Sequence, residues 1–292
     1  MKAFLDGLYY AYNRRELVFP DPLAFLYEYD GLRDREVVGL VASCLAYGRV
    51  AQIMKSVRSV LDVLGPRPAD FLMNSPAALP ARLAGFKHRF TTGSQMAGLL
   101  ARAGEAIRKD GSLENRLRNI HSERSRADGK GHAPMLDALD GLARFLSGPA
   151  DLAGSGFPLI AAPSGGSACK RLMLYVKWMT RCDEVDPGGW NVFDPRDLIM
   201  PIDTHIHHIA LRLGLTSRKQ ADMTAALEIT EALAKASPLD PTRYDFALTR
   251  FGIRSGSGKA FPSGKAFPSG KAFPLSVDAL VNLYNGGRGG NL

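Results

Sequence analysis

The segment that says most about the fold is MPIDTHIHHIALRLG, at residues 200–214. Its apolar side chains recur at the i, i+3, i+4 and i+7 spacing of one helical face, and they are Ile206, Ile209, Ala210 and Leu213. Pro201 and Asp203 are start signals for a helix, and Gly214 is a stop signal. An aspartate at the helix cap adds about 1 kcal/mol of helix stability. The segment therefore predicts an amphipathic helix that begins just after Asp203.

Apolar spacing predicts further helices along the chain. They are expected at residues 34–46, 53–64 and 171–179, and from residue 223 to a stop near Ser237-Pro238. The almost continuous apolar character of residues 171–179 is typical of a helix inside a bundle. The Arg-rich residues 110–134 are predicted to form a loop or a solvated helix face. No series of alternating β runs separated by hairpin turns is found in the sequence, so the predicted fold class is all-α.

Length and composition indicate a soluble globular protein. The chain has 292 residues, 46% hydrophobic and 23% charged, which suits one large domain or two lobes. Three cysteines are too few for an iron–sulfur cluster or a disulfide framework, and we expect a reducing compartment. Asp6 comes too early for a signal peptide, and no apolar run reaches about 18 residues. We therefore expect a cytoplasmic protein with no membrane partner.

The net charge of +8 is shared between the folded part and a tail. Residues 254–292 carry five cations against one acid, which leaves a mildly basic charge of +4 for residues 1–253. The hexapeptide SGKAFP occurs three times over residues 257–274. Because each unit contains Pro and Gly, it cannot sustain a helix. We expect a domain over residues 1–253, a flexible segment over 254–276, and a short helix and tail over 277–292.

Residues 163–170, PSGGSACK, predict a tight turn that leads into a buried helix. Gly165 and Gly166 tolerate positive φ and let a phosphate approach the backbone N–H groups. The N-terminus of the following helix adds the positive end of its dipole. Lys170 is either a solvated lysine or a nucleophile or phosphate ligand. Lys177, two turns further on, is predicted to lie along the core and keep its ammonium group in water.

Three histidines in four residues suggest a metal site as an alternative. The sequence His205-Ile206-His207 resembles the His-x-His metal site that opens amidohydrolase barrels. That site lies on the first strand of a barrel of about 200 residues or more, and the chain that follows here is shorter. On a helix, His205 and His207 point in nearly opposite directions and cannot share a metal. His205, His208 and Arg212 instead share one basic face, which is one way to contact phosphates.

The combination of turn, lysine helix and Asp-Thr-His helix resembles the helix-hairpin-helix DNA glycosylase superfamily. Asp203-Thr204-His205-Ile206, followed by Arg212-Leu213-Gly214, is similar to the helix that carries the catalytic aspartate in endonuclease III-type enzymes. The segment KRLMLYVKWM at 170–179 resembles the lysine helix of the archaeal 8-oxoguanine glycosylase/lyases. Residues 1–253 look like a bacterial family of this superfamily with no assigned function, through motifs at Asp21-Pro22, Lys87-His88-Arg89-Phe90 and Tyr244-Asp245-Phe246-Ala247-Leu248.

The resemblance implies a two-lobed helical bundle with a helix-hairpin-helix motif, in which the chain crosses between the lobes near residues 30 and 216. It implies that Lys170 is the nucleophile of a glycosylase/lyase and that Asp203 is its acidic partner. The implied substrate is an oxidised purine in DNA, with RNA left open. No cofactor or metal is implied, and we expect a monomer that associates with the nucleoid because its implied substrate is DNA.

The remaining site residues implied by the resemblance surround this pair. Tyr47 is a candidate to fill the gap left by an extruded base, and Arg49 to contact the orphan base. The candidate backbone contacts are Gly165, Gly166, Ser167, His205, His208 and Arg212. The candidate walls of the base pocket are Trp178, Trp190 and Phe193, with ordinary core packing as the alternative for these aromatic residues and for Tyr47.

Two hypotheses of other classes stay open. One is a nucleic-acid-binding module of the same fold without catalysis, because fold does not imply activity. The other is a metal-dependent hydrolase that uses His205 and His207.

Overall fold

A computed structural model describes residues 1–124, 131–152 and 158–256, and these residues are largely helical. The predicted all-α fold class is confirmed at this level. The α-helices of the described residues, in chain order, are α1 Lys2–Tyr12, α2 Leu32–Cys44, α3 Val50–Leu64, α4 Pro68–Asn74, α5 Leu79–Arg82, α6 Gly93–Asp110, α7 Leu113–Arg124, α8 Ala133–Leu152, α9 Lys170–Thr180, α10 Thr204–Arg212, α11 Met223–Ala234 and α12 Asp245–Gly256.

The helices expected from apolar spacing are present. Helix α11 begins at Met223 as predicted and ends at Ala234, before the expected stop near Ser237-Pro238. Helix α3 ends at Leu64 because Gly65 takes φ +76° and breaks the helix. Residues 110–134 contain α7, whose Leu113 and Leu117 are buried, so this segment contributes to the core as well as to the surface. Helix α8 leaves the helical conformation at Gly148, where φ is +67°.

A short antiparallel hairpin joins α5 to α6 and was not predicted from the sequence. Its strands are β1 Lys87–His88 and β2 Thr91–Thr92, with His88 opposite Thr91. Thr92 also caps α6, because its hydroxyl accepts the Gln95 N–H while the Gln95 side chain accepts the Thr92 N–H. The hairpin is therefore held at the point where the long helix α6 begins.

Helices α2 and α9 pack against each other in the core. All residues from Glu36 to Cys44 in α2 and from Leu172 to Thr180 in α9 are buried. Gly39 allows the close approach, since an added Cβ would lie 3.3 Å from the Tyr175 ring and from the Met179 sulfur. Burial on every side explains why both helices have almost continuous apolar sequences.

Lys177 lies in the interior, which corrects the prediction that its ammonium group stays in water. Its side chain is 1% exposed, and Nζ lies 3.0 Å from the Asp186 carboxylate and 3.1 Å from that of Asp245. Burial alone would lower the pKa of Lys177, but the two carboxylates outweigh burial and raise it. Arg181, one turn further on, also pairs with Asp186. This buried network ties α9 to the start of α12.

Among the described residues, no helix has the length and apolar character needed to cross a membrane. The SGKAFP repeat and the predicted helix over 277–292 lie outside the described residues.

Candidate active site at the start of helix α9

Lys170 and Asp203 meet at the ends of two helices. Lys170 is the first residue of α9, and Asp203 immediately precedes α10. The Lys170 Nζ donates a hydrogen bond of 2.8 Å to Asp203 Oδ2. The two side chains are 31% and 30% exposed. The pair is therefore held in place by two helix ends and is still reachable from solvent.

The two carboxylate oxygens of Asp203 accept different hydrogen bonds. Oδ1 caps α10 as predicted, because it accepts the N–H groups of His205 and Ile206, each at 2.9 Å. Oδ2 accepts the bond from Lys170. Burial alone would raise the pKa of Asp203, but the charge and hydrogen bond of Lys170 and the Ile206 N–H hold it below its ordinary value of 3.8. Asp203 is therefore an ionised carboxylate at neutral pH.

The turn before α9 is anchored on two sides. Residues Pro163–Gly165 form a 3-10 turn. The Ser164 N–H donates to Asp140 Oδ1 on α8 at 3.0 Å. The Gly166 carbonyl accepts the N–H of Met223, at the start of α11, at 3.1 Å. These bonds fix the backbone that carries Lys170.

Gly165, Gly166 and Ser167 are exposed, but the two glycine N–H groups are already used inside the turn. The Gly165 N–H donates to the Ala162 carbonyl at 3.0 Å and the Gly166 N–H to the Pro163 carbonyl at 2.9 Å. A Cβ added at either glycine would meet no atom within 4 Å, so the surface beside them is open. The backbone at position 166 has a φ of +76°, which glycine adopts without strain. The glycines therefore shape the turn and leave room for a ligand beside it.

Helix α10 has one exposed basic face and one buried face. His205, His208 and Arg212 are exposed, as their spacing predicts. His207 is buried, and its Nε2 lies 2.9 Å from the Arg218 carbonyl oxygen. His205 and His207 thus have opposite surroundings. In the part of the chain that the structure describes, no group of three His, Cys, Asp or Glu side chains is placed to hold a metal ion.

Tyr47 lies close to α9 through an arginine that sequence reasoning did not identify. Arg171, next to Lys170, lies 5.2 Å from the centre of the Tyr47 ring and donates to the Cys44 carbonyl at 3.2 Å. The Tyr47 hydroxyl donates to the His88 carbonyl at 2.8 Å. Arg49 is exposed at the cap of α3. Tyr47 is therefore fixed between the hairpin and α9. The signal available in the sequence was the second cation directly after Lys170.

The three aromatic residues expected in a base pocket lie in the core. Trp178, Trp190 and Phe193 are all buried. The Trp190 Nε1 donates to the carboxylate of Glu36 at 2.8 Å, and its ring packs edge-on against Tyr175. A cleft of about 200 Å³ next to Lys170 has a different lining, formed by Ala161, Ser167, Ala168, Cys169, Lys170, Arg171, Leu172 and Ile202. The aromatic trio is not part of this cleft.

Residues 21–254 match the family described as a protein of unknown function, DUF2400. The chain belongs to the DUF2400 family. Searches among curated proteins and among solved structures found no significant match. The matched span includes the turn, α9 and α10, so the Lys170–Asp203 pair lies within the DUF2400 region.

Proposed function

We propose that this DUF2400 protein is a DNA glycosylase/lyase in which Lys170 is the nucleophile and Asp203 its acidic partner. The observation that carries the proposal is the 2.8 Å contact between Lys170 Nζ and Asp203 Oδ2. It joins the two residues that the resemblance to helix-hairpin-helix glycosylases selects. Both side chains are partly exposed, and Lys170 lines a small cleft where a substrate can reach it.

The chemistry begins with transfer of a proton from Lys170 Nζ, for which Asp203 Oδ2 is within reach. The free electron pair of Nζ then forms a bond to the sugar C1′. The glycosidic bond breaks, and the base leaves with the electron pair of that bond and takes up the proton that Asp203 had accepted, which restores the Asp203 carboxylate. The C1′–O4′ bond of the sugar then breaks, O4′ takes up a proton from Nζ, and a Schiff base remains between Nζ and C1′. The restored negative charge of Asp203 stabilises the positively charged Schiff base.

The surroundings of the pair support a nucleic-acid partner. The exposed basic face of α10, with His205, His208 and Arg212, follows directly after Asp203. Ser167 is exposed, and Cys169, which caps α9, supplies no side-chain hydrogen bond to its first turn. A helix N-terminus next to an open turn favours phosphate. These features are those expected of a helix-hairpin-helix motif that binds the DNA backbone.

The substrate class that we propose is an oxidised purine. It rests on the similarity between the α9 sequence and the lysine helix of the archaeal 8-oxoguanine glycosylase/lyases. Since Trp178, Trp190 and Phe193 are held in the core, the base is expected to enter the cleft beside Lys170.

Borohydride trapping tests the proposal. The protein is mixed with duplexes that contain 8-oxoguanine, uracil, hypoxanthine or an abasic site, because borohydride reduces a Schiff base to a stable covalent adduct. We expect an adduct with wild type and none with Lys170→Ala. The matched control is Lys109→Ala, an exposed lysine on α6, which is expected to trap like wild type.

Each result has a definite meaning. An adduct on 8-oxoguanine names the substrate, and an adduct on the abasic site alone supports a lyase of another base specificity. Salt-sensitive DNA binding with no adduct would contradict catalysis by Lys170 and leave a binding module. Stoichiometric zinc that is lost in His207→Ala would favour the metal-dependent hydrolase instead.

A further inference from the structure

A cationic groove runs beside the hairpin, away from the residues used so far. It has a volume of about 400 Å³ and lies between α3 and the segment from α5 to β1. Three cations line it, namely Lys55, Arg82 and Lys87, and no lining residue carries a carboxylate. Its other polar lining residues are Gln52, Ser56 and Ser59. A groove with cations and hydroxyl groups and no acid has the chemistry of a phosphate-binding surface.

The hairpin at the edge of this groove is anchored to the rest of the protein through His88. His88 is fully buried, and its Nδ1 lies 2.9 Å from Ser56 Oγ on α3 while its Nε2 lies 3.0 Å from the Tyr47 carbonyl oxygen. The Tyr47 hydroxyl reaches back to the His88 carbonyl. Phe90, at the tip between the two strands, is 63% exposed. The anchored hairpin thus holds the Phe90 ring in contact with solvent.

The hairpin and the candidate active site share Tyr47. The Arg89 guanidinium lies 6.0 Å from the centre of the Tyr47 ring, and that of Arg171 lies 5.2 Å from it. At Gly48 an added Cβ would lie 2.8 Å from the Arg89 side chain, so the loop and the hairpin are closely packed. Since Arg171 follows Lys170 directly, one connected set of residues leads from the hairpin tip to the lysine.

We propose that the groove and the hairpin tip form a second DNA contact, in which Lys55, Arg82 and Lys87 bind backbone phosphates and Phe90 inserts among the bases beside the lesion. This inference rests on the proposed function for its choice of partner. Tyr47, whose hydroxyl is bonded to the hairpin, braces Phe90 instead of inserting itself.

The physical reason is the combination of charge and an exposed ring. Cations alone follow the backbone of any polyanion, but an aromatic ring beside them also stacks on bases. Proteins that unstack a duplex commonly insert an apolar side chain at the opened step. The opened step needs to lie on the same side of the protein as the nucleophile, and Tyr47 contacts both the hairpin and Arg171, the residue next to Lys170.

The groove is tested by the salt dependence of binding to a duplex with a stable abasic-site analogue. The slope of log K against log salt is negative, and each lost phosphate contact makes it less negative by about 0.9. We expect Lys55→Ala/Lys87→Ala to make it less negative by about 1.8. The control Arg67→Ala/Lys109→Ala removes the same charge from exposed positions and leaves the slope unchanged. Equal slopes in the two double variants would overturn the groove assignment.

Phe90 is tested with 2-aminopurine placed opposite the abasic-site analogue, because its emission reports stacking. At saturating protein, we expect wild type and Tyr10→Ala to change the emission and Phe90→Ala to leave it as in free DNA. Tyr10 is 66% exposed on α1, so it matches Phe90 in exposure. We also expect Phe90→Ala to weaken duplex binding about 10-fold. An emission change in Phe90→Ala equal to that of wild type would overturn the insertion.

Borohydride trapping on single-stranded and on duplex DNA distinguishes a failure of the second DNA contact from a failure of the proposed function. We expect Phe90→Ala to keep Lys170-dependent trapping on a single-stranded abasic oligonucleotide, where no duplex needs opening, and to lose it on the duplex. Absence of trapping in wild type, with the Phe90 and groove effects intact, would refute the proposed function and support the second contact. Normal duplex trapping by both Phe90→Ala and Lys55→Ala/Lys87→Ala would refute the second contact alone.

Discussion

Lys170 and Lys177 lie on one helix about two turns apart, yet their surroundings differ sharply. Lys170 is 31% exposed and contacts one carboxylate, that of Asp203. Lys177 is 1% exposed and contacts two, those of Asp186 and Asp245. Lys170 also lines a cleft, whereas Lys177 is enclosed by the core.

The difference separates a lysine that can react from one that supports the fold. Charges taken out of water are stable only while they remain paired, so Lys177 cannot leave Asp186 and Asp245 without destabilising the fold. A partly exposed pair is weaker, because water competes for both groups. Lys170 can therefore exchange Asp203 for a substrate atom at little cost to the fold. Substitutions at the two lysines and at Asp203 are therefore expected to have different effects on trapping and on stability.

The largest effect is expected for Lys170→Ala. Loss of the nucleophile is expected to lower borohydride trapping by about 1,000-fold or more. The free energy of unfolding, measured by urea denaturation, is expected to change by less than about 1 kcal/mol because the pair is partly exposed. A folded variant that traps at the wild-type rate would contradict the account.

Lys177→Met is expected to show the opposite pattern. It leaves the buried carboxylates of Asp186 and Asp245 without this cation, which lowers the free energy of unfolding by about 3–5 kcal/mol. The measurement is urea denaturation beside Lys109→Met, a change at an exposed position that is expected to stay within about 0.5 kcal/mol. Equal stability of the two variants would show that the Lys177 network is not a structural element.

Asp203→Asn isolates the charge of Asp203 from its capping role. Asparagine caps helices about as well as aspartate, so the midpoint of urea denaturation is expected to stay close to that of wild type. The rate of adduct formation is expected to fall about 100-fold, because the proton acceptor and the negative charge are both lost. An unchanged rate with an unchanged midpoint would leave Asp203 as a cap alone.

The smallest effect is expected in the pH dependence of stability. Because the pKa of Asp203 is held below 3.8, its contribution is present above that value and is lost as the pH falls through the lowered pKa. Wild type is therefore expected to lose more stability than Asp203→Asn when the pH is lowered from neutral to acid. The difference is expected to stay below about 1 kcal/mol. A larger loss of stability in Asp203→Asn than in wild type would contradict this prediction.

The sequence was sufficient for the features that depend on neighbours in the chain. Helix α10 and its Asp203 cap follow from local spacing, and so does the exposed face with His205, His208 and Arg212. The start of helix α11 at Met223 was predicted for the same reason.

Features that depend on distant residues were missed. Lys177 has partners 9 and 68 positions along the chain, so its burial could not be seen in the local pattern. The hairpin has two residues in each strand, too few for a periodic signal. Tyr47 is fixed by His88 and Thr91, more than forty residues away, which only the folded chain brings together.

The most direct test of the division between the two lysines is to locate the covalent adduct. The protein is reduced with borohydride in the presence of an abasic-site duplex and digested, and the modified peptide is identified by mass spectrometry. We predict that the adduct lies on Lys170, within the first turn of α9. An adduct on Lys177 or on the N-terminal amine, or no adduct at all, would contradict this prediction.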